Sequence, residues 1–327
     1  MDVIKLKFSS FWASPEENNA RVTRNWGKLP ECFKLTSDND YDYLIVLTHS
    51  PEMFKSPANK NIAFCMEPSW SPNVVPVREK LIENCKYIIT NDEELERDGR
   101  RGERVVYGYN FMFHHDSRKN HETHFKTGPS VEEYLSEDTL PENVDSPDYP
   151  KKACYINTHH GIPNLGYPTG THPRWKTLYQ ERDKLFLDIL NSDLPIDLYG
   201  NNWNTNDPRY KGSPDLKREA LKGYKYCIAI ENSRSTFYIS EKFFDPLLNN
   251  CVPIYYGCTT IEKAYDSNSF VEFDLKKNTV IEDLREIIKQ PISHRNDAIQ
   301  KSKKDYFIKY NLLKYLEELL ATPIVLS

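Results

Sequence analysis

The chain has 327 residues, of which 39% are hydrophobic and 13% aromatic, with a formal net charge of -5. That apolar share supports packed interiors and excludes a disordered chain, and the length suits two ordinary domains better than one core. The acidic balance argues against a nucleic-acid binder, whose surface is normally strongly basic, and no apolar run approaches the roughly 18 residues of a membrane span.

In chain order, the first residues alternate apolar and charged side chains, which reads as a strand over Val3–Phe8 and not as a signal peptide. Tyr43–Thr48, Ile62–Met66, Tyr87–Ile89 and Val105–Tyr107 follow as strands, with a helix over Pro76–Cys85 between two of them. This alternation predicts a parallel α/β sheet. Between Phe113 and Lys152 the periodicity is lost, and His, Asp, Glu, Pro and Ser dominate an expected inter-domain connection. A second alternation starts at Ala153–Ile156 and continues with a helix over Trp175–Leu190 and a strand over Ile196–Tyr199. After Ile281–Lys289, a long helical pattern spans Asn296–Leu320. The expected division is an N-terminal domain over 1–150, with the connecting segment, and a C-terminal domain over 151–327 with its last helix.

The most informative stretch runs from Tyr226 to Gly257. Cys227–Ile230 reads as a buried strand left by Glu231-Asn232-Ser233. After a polar loop, Ser240 stands at an N-cap position with Glu241 and Lys242 in the first helical turn. Val252–Tyr256 is a second strand closed by Gly257. Ligands of such βαβ units sit at the carboxyl ends of the strands. Here that edge carries Glu231, Asn232, Tyr238, Glu241 and Lys242, a set suited to sugar hydroxyls and an anionic phosphate. There is no Gly-x-Gly-x-x-Gly or Walker sequence, which disfavours a dehydrogenase and a P-loop kinase.

Glu-Asn-Ser, the loop, Tyr-Ile-Ser-Glu-Lys and Val-Pro-Ile-Tyr-Tyr-Gly together resemble the signature of the α1,3/4-fucosyltransferase family, with three blocks in order. The resemblance implies an inverting glycosyltransferase of the GT-B arrangement, with two facing Rossmann-like domains and GDP-fucose as donor. It implies an acceptor-binding N-terminal domain, a glycan acceptor, no essential divalent metal, and a final helix that often returns to the first domain. The absence of an anchor and stem is similar to the bacterial and viral members.

Carried over residue by residue, the resemblance places Lys242 on the donor phosphates, Glu241 on hydroxyls, and Tyr238 and Asn232 on the donor. Glu231 serves the donor or orients the loop. Arg182 opens a block ending in Tyr199-Gly200 and matches an arginine of the diphosphate site, with Arg174 as its rival. Phe64-Cys-Met-Glu-Pro-Ser-Trp-Ser-Pro72 resembles the segment holding the general base, which makes Glu67 the candidate catalytic residue. Pro68 directly after it departs from many relatives, as does Pro246 inside the signature helix, where a proline bends a helix or shifts its start. Val106-Tyr-Gly-Tyr109 resembles a further family segment.

Two metal readings are weaker. His114, His115, His121 and His124, with His159-His160 later, lack a completing spacing of Cys or carboxylate. Asp38-Asn-Asp40-Tyr-Asp42 is similar to the Asp-x-Asp of metal-dependent transferases but precedes a strand. Seven cysteines, an odd number with no Cys-x-x-Cys pair, and the lack of any Asn-x-Ser/Thr sequon point to a reducing, cytoplasmic setting. Two other functions stay open: the same fold using another nucleotide sugar, such as a UDP-sugar, and a catalytically inactive sugar-binding protein.

Overall fold

A computed structural model describes residues 3–67, 78–91, 105–107, 129–136, 140–159 and 177–321. The predictions at Pro68, Arg174, Gly108-Tyr109, His160 and the histidines of 114–124 lie outside them. Of the described residues, those up to 107, 129–131 and 306–321 form one compact unit, and 132–159 and 177–305 form another.

The first unit is built on a parallel sheet of order β2-β1-β3-β4-β5-β6, comprising β1 Ile4–Ser9, β2 Phe33–Leu35, β3 Tyr43–Leu47, β4 Asn61–Phe64, β5 Tyr87–Thr90 and β6 Val105–Tyr107. Its helices are α1 Pro15–Trp26 and α2 Arg78–Asn84. β3 is a continuous apolar run because both faces are covered, as parallel sheets require. Ile45 and Leu47 join Leu6, Phe8, Phe64 and Val22 on one face. Leu44 and Val46 join Ala63, Cys65, Leu81 and Ile88 on the other. The helix α1 begins with a capping box: the Ser14 hydroxyl accepts the Glu17 N–H and the Glu17 carboxylate accepts the Ser14 N–H.

The second unit opens with α3 Val131–Ser136, a short helix inside the stretch read as an irregular connection. Its sheet is also parallel, in the order β11-β10-β9-β7-β8. The strands are β7 Ala153–Ile156, β8 Ile196–Tyr199, β9 Tyr226–Ile230, β10 Val252–Tyr256 and β11 Val271–Glu272. Between them run α4 Tyr179–Leu190, α5 Lys217–Leu221, α6 Glu241–Leu248 and α7 Ile261–Ala264, and α8 Val280–Ile287 follows β11. α4 starts later than the expected Trp175, since Thr177 is bridged to Ser233 and Leu178 caps the helix. α6 starts where expected, at the Ser240 cap, and passes through Pro246 before ending two residues later.

The expected single helix over Asn296–Leu320 is two helices, α9 Asn296–Ile308 and α10 Leu312–Ala321. Asn311 divides them. Its carboxamide oxygen accepts the N–H groups of Leu313 at 2.9 Å and Lys314 at 3.3 Å, and its amide donates to the carbonyls of Trp26 and Phe307. An N-cap of this kind begins a new helix at the point where the pattern alone reads as continuous. The division between units falls within α9, and Leu312, Leu313 and Leu316 of α10 pack into the core of the first unit.

Candidate functional site

In the second unit the chain runs from β7 to β8 on one side and then to β9, β10 and β11 on the other. The strand order therefore reverses between β7 and β9, and the crevice outside the carboxyl ends of these strands is where open α/β sheets bind ligands. Most of the predicted residues gather there.

Glu231 and Asn232 are the first residues past β9, and each holds a neighbouring element that carries a cation. Arg182 on α4 is 4% exposed and donates through Nη1 to Asn232 Oδ1 at 2.5 Å. Its guanidinium carbon lies 5.6 Å from the centre of the Tyr179 ring, and its Nε is buried without a hydrogen-bond partner among the described residues. The Asn232 carbonyl accepts the Leu178 N–H at 2.9 Å, which fixes the start of α4 against the same strand end.

Glu231 is fully buried. Its carboxylate accepts the Ser240 N–H at 2.7 Å, the Ser240 hydroxyl, and the Tyr255 hydroxyl at 3.3 Å. Burial pushes its pKa above the ordinary carboxylate value, with Glu241 acting in the same direction, while Lys242 and the bonds from Ser240 oppose the shift. Ser240 is in turn the N-cap of α6, accepting the Lys242 N–H at 3.3 Å. Gly257 closes this arrangement: a Cβ there would stand 2.3 Å from Glu231 Cγ and 2.7 Å from the Tyr255 hydroxyl.

On the first turn of α6, Lys242 Nζ lies 2.9 Å from Glu241 Oε1 and 3.4 Å from Ser240 Oγ. Both side chains stay partly open, at 17% and 16% exposure. An ammonium at a helix N-terminus, beside unsatisfied backbone N–H groups, favours an anion. Tyr238 is only 2% exposed, and its backbone N–H donates to Ser235 Oγ at 3.2 Å.

The carboxyl edge of β7 adds Asn157, Asp183 and Trp203, which the sequence reading passed over, and His159, which it named only in the weak metal reading. Asn157 Nδ2 donates to Asp183 Oδ1 at 2.8 Å, and His159 Nδ1 lies 2.8 Å from Asp183 Oδ2. Asn157 Oδ1 is buried without a partner. Trp203 stacks on Phe186 at 3.8 Å and donates from Nε1 to the Asn157 carbonyl at 2.7 Å. Gly200, at φ 140°, lets the strands approach, since a Cβ there would fall 1.8 Å from the Asn157 carbonyl oxygen. The usable signal was positional: polar residues leave β7 at Asn157 as they leave β9 at Glu231.

A cavity of about 540 Å³ adjoins the ends of β10 and β11. Arg234, Tyr256, Glu272, Asp274, Lys277 and Asp283 are among its lining residues. Arg234 lies 4.9 Å over the Tyr256 ring and donates to its hydroxyl at 3.3 Å. With Glu286 the lining has four carboxylates against two cations, which suits hydroxyl groups better than phosphate.

In the first unit, Glu67 lies three residues beyond β4 and is partly buried. Asn91 Nδ2 donates to its backbone carbonyl and to that of Cys65, each at 3.4 Å, and the Met66 N–H donates to Thr48 Oγ1 at 3.3 Å. The Asp38–Asp42 turn serves β1: Lys5 Nζ meets Asp40 at 2.5 Å and the Lys5 N–H meets Asp42 at 2.7 Å. Among the described residues no group of three or more His, Cys, Asp or Glu could hold a metal ion, and no helix is long and apolar enough to cross a membrane. All seven cysteines are unbridged.

Two parallel α/β units with a polar crevice at the switch point of the second define a glycosyltransferase fold of the GT-B class. A crystal structure of an α1,3-fucosyltransferase shares that fold, with a TM-score of 0.50 at 18% identity over 92% of this chain and 80% of that one. Residues 173–296 match the family model described as glycosyltransferase family 10 (fucosyltransferase), C-terminal part. An α-(1,3)-fucosyltransferase of Helicobacter pylori is 32% identical over 111 residues, 34% of this chain and 22% of the relative. α-(1,3)-fucosyltransferase B of Drosophila melanogaster is 39% identical over 97 residues, 27% of this chain and 22% of the relative. The matched region thus spans about a fifth of the length of these curated relatives.

Proposed function

We propose that the protein transfers fucose from GDP-fucose to a hydroxyl of a glycan acceptor in a single inverting displacement. The observation that carries this reading is the pair of cations held by two adjacent residues at the end of β9. Arg182 is tied to Asn232, and Lys242 is tied through Ser240 to Glu231. The departing nucleotide diphosphate develops negative charge at the transition state, and preorganised cations stabilise it by several kcal/mol without reorganising.

In this reading Arg182 and Lys242 hold the diphosphate, the planar guanidinium gripping two oxygens at once. Glu241 and Asn232 bond donor hydroxyls. Tyr238 and Glu231, both buried, position the loop and the start of α6. Glu67 takes the proton of the attacking acceptor hydroxyl, as an inverting transfer requires of one carboxylate. The two side-chain cations supply the charge compensation, so a divalent metal is not essential. The unbridged cysteines favour a reducing, cytoplasmic setting.

Calorimetry with GDP tests the donor half of this reading. Lys242→Ala should bind GDP and GDP-fucose more weakly than the parent chain, by about tenfold or more for a lost charged contact. Unchanged GDP affinity in a folded Lys242→Ala protein would remove the assigned role.

A further inference from the structure

At the opposite, amino-terminal edge of the second unit's sheet lies another cavity, of about 310 Å³. Lys152, Pro195 and Lys225, the residues just before β7, β8 and β9, line it together with Asp145, Arg285 and Lys289. Lys225 stands six residues before Glu231, so this cavity is about 20 Å along the strand from the proposed donor edge. The transfer reaction makes no use of it.

Its charges are poorly compensated. Lys225 is 2% exposed, and among the described residues its ammonium donates to a single acceptor, the Gln290 carbonyl at 2.9 Å. Among the described residues, Lys152 Nζ meets only the carbonyls of Ser146, at 3.4 Å, and Pro147. The carboxylate in the lining, Asp145, is committed to the N–H groups of Ile292 at 2.6 Å and Ser293 at 3.1 Å. Arg285 pairs with Asp193 at 2.5 Å and Lys289 with Glu286 at 2.7 Å, which leaves the two inner lysines without a carboxylate partner among the described residues.

A buried ammonium with two donors unused is costly. Burial lowers the pKa of Lys225, with Lys152 adding to the shift and Asp145 opposing it. A bound anion would supply the missing acceptors. Two ammonium groups lining one cavity match a dianion, and the volume leaves room for a small group attached to it.

We propose that this cavity binds a phosphate group, either as free phosphate or on a phosphomonoester of sugar size. The proposal is independent of the fucosyl reading, because it uses none of the donor-edge residues. The test is calorimetry of inorganic phosphate and of glucose 1-phosphate on the full chain at constant ionic strength, with chloride as the control. Lys225→Met and Lys152→Gln should each weaken binding by about tenfold or more, the scale of a lost charged hydrogen bond, in the parent chain and equally in a Lys242→Ala background that removes any phosphate held at the donor edge. Tighter binding of glucose 1-phosphate than of phosphate supports a phosphomonoester, and equal or weaker binding supports the free ion. Phosphate indistinguishable from chloride, or binding lost only in Lys242→Ala, would overturn the proposal. Should Lys225→Met fail to fold, the more exposed Lys152→Gln still decides it.

Discussion

Arg182 Nη1 donates to Asn232 Oδ1 at 2.5 Å, so a helix cation and a strand-end amide from different parts of the chain form one unit. The contact sets the guanidinium at the sheet edge with its Nε still unpartnered among the described residues. Arg182→Ala should reduce GDP affinity by about ten- to a hundredfold, the range for a charged hydrogen bond. Asn232→Ala should reduce it less, through loss of orientation. Because the two residues act together, the double variant should lose clearly less than the sum of the single losses. Additive losses in calorimetry would show that the contact does not position the arginine.

The crevice was legible at Glu231, Asn232, Glu241 and Lys242 because chain-local rules place them: a short apolar run, a polar exit, a serine cap. Asn157, Asp183 and Trp203 were not. Their roles depend on β7 lying beside both β8 and β9, a pairing between residues far apart in sequence that no local pattern encodes. Tyr238 was legible only through its motif position, and tertiary packing leaves it 2% exposed. Among the elements, α1 carried a readable signal in Ser14-Pro-Glu-Glu17. The break at Asn311 was hidden because apolar spacing continues across it.

Gly257 is a tight point on the β10 side of the crevice. A Cβ there would meet Glu231 Cγ at 2.3 Å, and both groups belong to a fully buried network. Gly257→Ala should destabilise the protein by about 1–3 kcal/mol, the usual cost of overpacking, and should displace the start of α6. Thermal unfolding measures the first effect and GDP affinity the second. A variant with both parental values would show that the network relaxes freely.

Glu231 gives a pH signature. Its folded-state pKa is raised by burial above 4.5, so the folded protein holds this proton more tightly than the unfolded chain. The associated stability is present below about pH 4.5 and is lost as pH rises through the folded value. Glu231→Gln removes this titration. The difference in melting temperature between parent and variant should therefore shift in favour of Glu231→Gln as pH rises from 4.5, and two parallel pH curves would refute the assignment.

For Glu67 the prediction separates chemistry from binding. Glu67→Gln should lower kcat by roughly a hundredfold or more, the typical cost of losing general-base assistance, and leave GDP affinity nearly intact. Retention of half the transfer rate would move the base elsewhere.

Donor choice is the step at which the fold and the activity separate. The blocks around Glu231, Glu241 and Val252 favour GDP-fucose, yet Pro246 stands inside α6, the helix that presents Lys242. A proline removes one helix hydrogen bond and keeps this helix short, so the turn bearing Glu241 and Lys242 is set by its cap and the Glu231 network. In the proposed reading the diphosphate contacts come from that turn and from Arg182, and such contacts would not discriminate among nucleotide sugars. On that reading, discrimination would rest on groups proposed to bind hydroxyls, such as Glu241. Incubation with GDP-fucose, GDP-mannose, UDP-xylose and UDP-glucose, each with and without EDTA, should show GDP-fucose consumed fastest, even as slow hydrolysis without acceptor, and at the same rate with chelator. Consumption of a UDP-sugar while GDP-fucose neither binds nor reacts would leave the glycosyltransferase fold standing and refute the fucosyl assignment, and abolition of turnover by EDTA would show that Arg182 and Lys242 do not suffice for the leaving group.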